Sequence, residues 1–88
     1  MSSQPIEWDG QVIAILVHGQ DGDYLVPPVV RDSEGNILMG HEVLEAIVQS
    51  GVAVELPVIE NCTVGKLAEI DSRLAQIRDS LGVPFLSL

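Results

Sequence analysis

The sequence predicts an α+β fold: a small strand-rich body of two hairpins plus an edge strand with one short helix, followed by a C-terminal amphipathic helix. Three observations carry this expectation. Residues 12–17 form a β-branched apolar run that closes on the turn signal Gln20-Asp21-Gly22-Asp23. A second extended pair, Val29-Val30-Arg31 and Ile37-Leu38-Met39, flanks a polar loop with Gly35 at a turn position. Beyond residue 60 the apolar spacing changes from two to the three-and-four steps of a helix.

Each element follows from local chemistry. Residues 11–17 read Q-V-I-A-I-L-V, the composition of a strand covered on both faces. Aspartate before Gly22 favours the positive φ of a tight turn, and Tyr24-Leu25-Val26 resumes the extended run, so residues 12–26 make one hairpin. Pro27-Pro28 ends it, because neither residue donates to a ladder and each pushes its predecessor toward extended geometry. Residues 40–51 turn helical: Val43, Leu44, Ile47 and Val48 form (i, i+4) pairs, with His41, Glu42, Glu45 and Gln49 polar between them. Glu42 in the first turn complements the dipole, and Gly51 is the C′ stop. Val52, Val54, Leu56 and Val58 then alternate with Ala53, Glu55, Pro57 and Ile59, the period of a half-buried strand that Pro57 assigns to a sheet edge. Thr63 is placed to cap a helix that runs to Leu81, with Gly82 as C′ and Pro84 as the stop.

Along that last helix Leu67, Ile70, Leu74, Ile77 and Leu81 form a heptad seam with leucine at a and isoleucine at d, a choice that in parallel coils favours trimers or tetramers over dimers. In a parallel register Lys66 would face Asp71 of the next chain, which helps, whereas Arg73 would face Arg78, which does not. Barely two heptads are present. The same stripe would serve a helix packed on its own sheet, and a helix of this length does not hold an oligomer unaided. Residues 83–88, V-P-F-L-S-L, add an apolar end that a small monomer buries with difficulty. The expected contact surface is therefore Leu67, Ile70, Leu74, Ile77, Leu81, Val83, Phe85, Leu86 and Leu88, docking against another chain as an added strand or an anchored plug.

Charge divides the chain in the same place. Residues 1–60, the acidic strand-rich body with its short helix at 41–50, hold ten acids against Arg31 alone, while residues 61–88, the heptad helix and apolar tail, balance three acids with three bases. A net charge of -9 argues against partners that bind through phosphates, nucleic acid or an anionic membrane surface, because counterion displacement needs lysine and arginine. At 88 residues the chain makes one domain at most. The opening Met1-Ser2-Ser3-Gln4-Pro5 carries no positive charge, and residues 12–17 are too short a run to span a bilayer. The lone Cys62 makes no internal disulfide and fits a reducing compartment. The expected setting is the cytoplasm.

No constellation carries a reaction. Asp21, Asp23, Asp32, Glu34 and Asn36 lack the alternate ligand positions and terminal glutamate of a calcium loop and read as hydrated turn carboxylates. His41 and Glu45 lie one helical turn apart, but H-E-V-L-E is not H-E-x-x-H, and two ligands without a third are better read as a solvent face. His18 reads as structural and Cys62 as a small thiol just before a helix. Catalytic, cofactor and metal residues are thus expected to be none.

The stretch Val30-Arg31-Asp32-Ser33-Glu34-Gly35-Asn36-Ile37 resembles the V-x-D-x-x-G-x-[IL] hairpin of small virion proteins of tailed phages. In such proteins it can be followed by a helix of the type L-x-x-I-D-x-x-L-x-x-I, as residues 67–77 read here. The resemblance covers under a third of the chain. It implies a head decoration (cement) or tail-associated protein, multimeric and without enzymatic residues, in a virion assembled in the host cytoplasm. The helix at 41–50 and the apolar end depart from simple hairpin arms.

The reading that joins these strands is a non-enzymatic assembly subunit with protein partners, as a trimer or higher homo-oligomer, within a larger assembly, or both. A small acidic inhibitor or DNA mimic is the alternative that the charge suggests, although its carboxylates are spread among apolar residues and not set at phosphate-like density. An enzyme or metal module ranks last.

Overall fold

A computed structural model describes residues 2–51 and 53–86. The fold is α+β, and the described residues form two three-stranded sheets and two helices. The first sheet is an antiparallel meander of β1 (Ser2–Trp8), β2 (Gln11–Gly19) and β3 (Gly22–Val26), with β2 in the middle. The apolar run behaves as its composition predicts: Ile13, Ala14 and Val17 of β2 are fully buried, which needs cover on both faces.

β1 is an addition to the expected hairpin. Its sequence, S-S-Q-P-I-E-W, has too little apolar alternation to announce a strand, since only Ile6 and Trp8 are half-buried. Asp9 and Gly10 join it to β2 with φ of 54° and 76°, the paired positive values that a two-residue primed turn requires. Pro5 then has its ordinary place in a sheet, on an edge strand.

The second sheet orders β5 (Ile37–Met39), β4 (Val29–Arg31) and β6 (Val58–Ile59). β4 and β5 are the second expected hairpin, antiparallel. β4 and β6 are parallel, so the chain crosses over through α1 (His41–Ser50) before it returns. The strand expected across residues 52–59 is reduced to Val58–Ile59, at the sheet edge that Pro57 predicts. Val52 lies outside the described residues. Val54 and Leu56 are half-buried between exposed Ala53 and Glu55, so the period of two reports burial without backbone pairing. At buried Pro57 the phase reverses: Val58 is exposed and Ile59 is inside. Val29 N–H donates to the Pro57 carbonyl at 2.9 Å, which ties this segment to β4 through an acceptor that proline retains.

α1 also buries a different stripe from the one expected. Val43 and Ala46 are its buried residues, Leu44 and Ile47 are half-buried, and Val48 is 82% exposed. The helix lies over β2 and β3, whose cross-strand pairs Ile15↔Val26 and Val17↔Tyr24 share a face with which Val43, Ile47, Val54 and Leu56 form one cluster. A narrow contact of this kind needs only part of the apolar arc. Gly40 precedes the helix with φ 115°, and its Cα hydrogen points where a Cβ would meet Val29 Cα at 3.0 Å. Only glycine lets the chain turn this close to β4.

α2 (Val64–Leu81) starts and stops as its sequence predicts. Thr63 Oγ1 accepts from Lys66 N–H at 3.2 Å, and Gly82 adopts φ 66° with its N–H donating to the Arg78 carbonyl at 2.8 Å. The helix covers the larger cluster, in which Ile70 and Leu74 meet Ile13 and Ala14 of the first sheet and Val30 and Ile59 of the second. The acidic body and the heptad helix therefore share one core.

Candidate interaction surface

The seam expected to face a neighbour is largely consumed within the chain. Ile70 and Leu74 are 1% and 2% exposed, and Leu67 and Ile77 are half-buried against the same cluster. Within the single chain these four residues are covered, because two sheets of short strands leave an apolar floor and, among the described residues, α2 is the long element that lies over it. Leu81, at the far end of the seam, is different. It is 47% exposed, because α2 runs past the edge of the cluster before Gly82 stops it.

The segment after α2 does dock as an added strand, but onto its own chain. Leu25 N–H donates to the Pro84 carbonyl at 2.8 Å and Leu86 N–H donates to the Leu25 carbonyl at 2.7 Å, so that Phe85 pairs in parallel with Leu25 on the open side of β3. Phe85 packs on the larger cluster and Leu86 on the smaller, while Val83 is half-buried between helix and strand. Leu88 lies outside the described residues. Arg78 stands over the Phe85 ring at 5.5 Å, a cation on the aromatic face.

Around this surface the bases are held by near neighbours. Arg31 Nη1 meets Glu60 Oε1 at 2.9 Å, across β4 and the exit of β6. Lys66 lies over the Trp8 ring at 4.6 Å and 3.7 Å from Glu69, joining the start of α2 to the first hairpin. Arg73 donates to Gln76 at 3.3 Å and Arg78 to Asp79 at 3.3 Å. Among the described residues most acids of the body have no basic partner, and they give the surface its negative field. His18, read as structural, pairs with its cross-strand neighbour Asp23 at 3.1 Å.

The hairpin loop after β4 is built on one carboxylate. Asp32 Oδ1 accepts from Glu34 N–H and Asn36 N–H, both at 2.9 Å, and Oδ2 accepts from Asn36 Nδ2 at 3.1 Å. These donors, the Asn36 side chain foremost, lower the Asp32 pKa below the ordinary aspartate range. The carboxylate is engaged in shaping a turn. Among the described residues no three of His, Cys, Asp and Glu gather as metal ligands. His41 Nε2 lies 2.9 Å from the Ile37 carbonyl, which ties it to β5 and not to Glu45. Cys62 is buried, its Sγ donating to the Thr63 carbonyl at 3.3 Å. A shallow cleft of about 350 Å³ lies between the start of α1 and α2, floored by Met39, Leu74 and Phe85 and edged by Glu42 and Asp71. No helix among the described residues is long and apolar enough to cross a membrane.

Two parts of this surface escaped the sequence reading. The β1 edge was signalled only by Asp9-Gly10, a dipeptide that reads as a hairpin turn when extended chain flanks it. The acceptor edge on β3 has no signal in one sequence, since Leu25 looks like any core residue. Compared with protein-family models, curated proteins and solved structures, the chain matches none.

Proposed function

We propose that the protein is a non-enzymatic assembly subunit, of the kind that small decoration or tail-associated virion proteins of tailed phages represent. It binds further copies of itself, as a trimer or higher oligomer, and through them a larger assembly formed in the host cytoplasm. The contact is the outer end of α2 with the segment that follows it, and not the middle of the seam, which is occupied.

The observation that carries this reading is the uneven cover of one apolar stripe. Ile70 and Leu74 are inside, yet Leu81 is 47% exposed beside the half-buried Val83, Phe85 and Leu86. An apolar patch that continues a buried seam out to the surface is the usual form of a protein contact site. The acids of the body keep the surface around them hydrated, which favours association at the neutral end. The D-x-x-G hairpin supports the resemblance in form, since Val30 and Arg31 do pair with Met39 and Ile37 around an Asp32-centred turn.

Sedimentation equilibrium over a hundredfold range of concentration tests the reading. The expected result is a rising average mass that Leu81→Asp returns to that of one 9.4 kDa chain, with the unfolding transition unchanged. A chain that stays monomeric at every concentration would overturn it.

A further inference from the structure

We propose that residues 84–86 are an exchangeable strand: in the assembled protein the segment of one copy lies on the β3 edge of another, in the place it occupies on its own β3 in the single chain. This rests on the assembly reading and names the contact by which copies join. The β3 edge is demonstrably complementary to this segment, because it already holds it by two backbone hydrogen bonds of 2.8 and 2.7 Å. A second copy offers the same peptide, so the exchanged contact is the same contact and costs no new complementarity.

What decides between the two arrangements is the connection. Only Gly82 and Val83 separate the end of α2 from the bonded strand. So short a hinge fixes where the strand falls relative to the helix and leaves little room for adjustment within one chain, a setting in which exchange between copies competes with closure. The hold in the single chain is also slight. Phe85 and Leu86 are half-buried, two backbone hydrogen bonds among the described residues secure them, and the last turn of α2 is exposed at Asp79, Ser80 and Leu81. Half-buried segments held by few backbone bonds open before fully buried strands. Once the segment lifts, β3 presents an unpaired edge above fully buried Leu25 and Val26, and a strand edge of that kind recruits another strand. Circular exchange in a ring of three or more copies leaves no β3 edge open.

The test mixes two single-cysteine proteins in a Cys62→Ala background, one carrying Leu25→Cys and the other Phe85→Cys, and oxidises the mixture after equilibration. Residues 25 and 85 are bridge partners, so their bond in the mixture forms only across copies. A species of twice the chain mass, present in the mixture, absent from either protein alone and lost when Gly-Ser-Gly is inserted after Gly82, is the expected result. Isotope-filtered nuclear Overhauser contacts between Leu25 and Phe85, in a mixture of labelled and unlabelled wild-type chains, give the same readout without substitutions. If the wild-type protein associates but shows neither the cross-copy bond nor these contacts, exchange is overturned while the assembly reading stands. Association that survives the hinge insertion undiminished also overturns exchange, and a wild-type chain that never associates overturns both.

Discussion

Leu25 and Phe85 stand side by side as a parallel pair, although one belongs to the second strand of a hairpin and the other follows the last helix. Their pairing makes a fourth position in the first sheet and ties the apolar end of the chain to the middle of the acidic body. The cost of removing the ring follows from this. Phe85→Ala deletes a half-buried aromatic that packs on the larger cluster and carries the Arg78 contact, and should destabilise by about 2 kcal/mol in urea unfolding. Amide exchange at Leu25 should accelerate more than at Ile13, which lies in the middle strand.

Leu74 and Leu81 occupy equivalent heptad positions yet differ in burial, 2% against 47%. Leu74→Ala should cost roughly 2–5 kcal/mol, the range for a truncated core leucine. Leu81→Ala should change the monomer by no more than about 0.5 kcal/mol. Equal losses at the two sites in dilute solution would contradict the placement of α2.

Gly40→Ala combines two penalties, a left-handed φ of 115° and a Cβ at 3.0 Å from Val29 Cα and 3.1 Å from the Pro28 carbonyl. Backbone lines both close approaches, so a rotamer change offers no relief. A loss of about 2–3 kcal/mol is expected in thermal or urea unfolding. Gly51→Ala has the positive φ but nothing within 4 Å, and should cost less.

Asp32 gives the hairpin a defined response to acid. Its folded pKa is depressed below the ordinary 3.8 by the Asn36 side chain first, then by backbone N–H donors. The unfolded chain therefore binds this proton more readily than the folded one. The contribution is fully present above 3.8 and is lost as pH falls through the lower folded value. Asp32→Asn keeps an acceptor at Oδ1 but removes the titration. The stability difference between the two proteins should be flat at neutral pH and shrink in the acid range, and a difference that grows on acidification would contradict the depressed value.

Local chemistry was legible where one residue does one job. Thr63, Gly82 and Gly51 end helices because capping depends on a side-chain oxygen or a tolerated positive φ, which are properties of the residue itself. The two hairpins and the proline breaks belong to the same class. The (i, i+4) pairs of α1 include Val48, which is exposed, because several apolar arcs fit one helix and the sheet beneath selects which part is covered. Residues 52–59 had the period of a strand because alternate side chains pack inward, but hydrogen bonding there depends on where β4 lies.

The chain's own composition determined an α+β protein with an acidic, hydrated body, a capped helix bearing a 3-4 apolar stripe, and more apolar residues after that helix than local structure can use. Tertiary structure decided what the stripe and the surplus touch. Ile70 and Leu74 roof both sheets, Leu81 stays outside, and residues 84–86 find the edge of β3. The physical reason is that periodicity is set by bonds along the chain, whereas burial and edge pairing depend on surfaces brought together from distant positions, and a parallel partner such as Leu25 leaves no mark near Phe85 in the sequence.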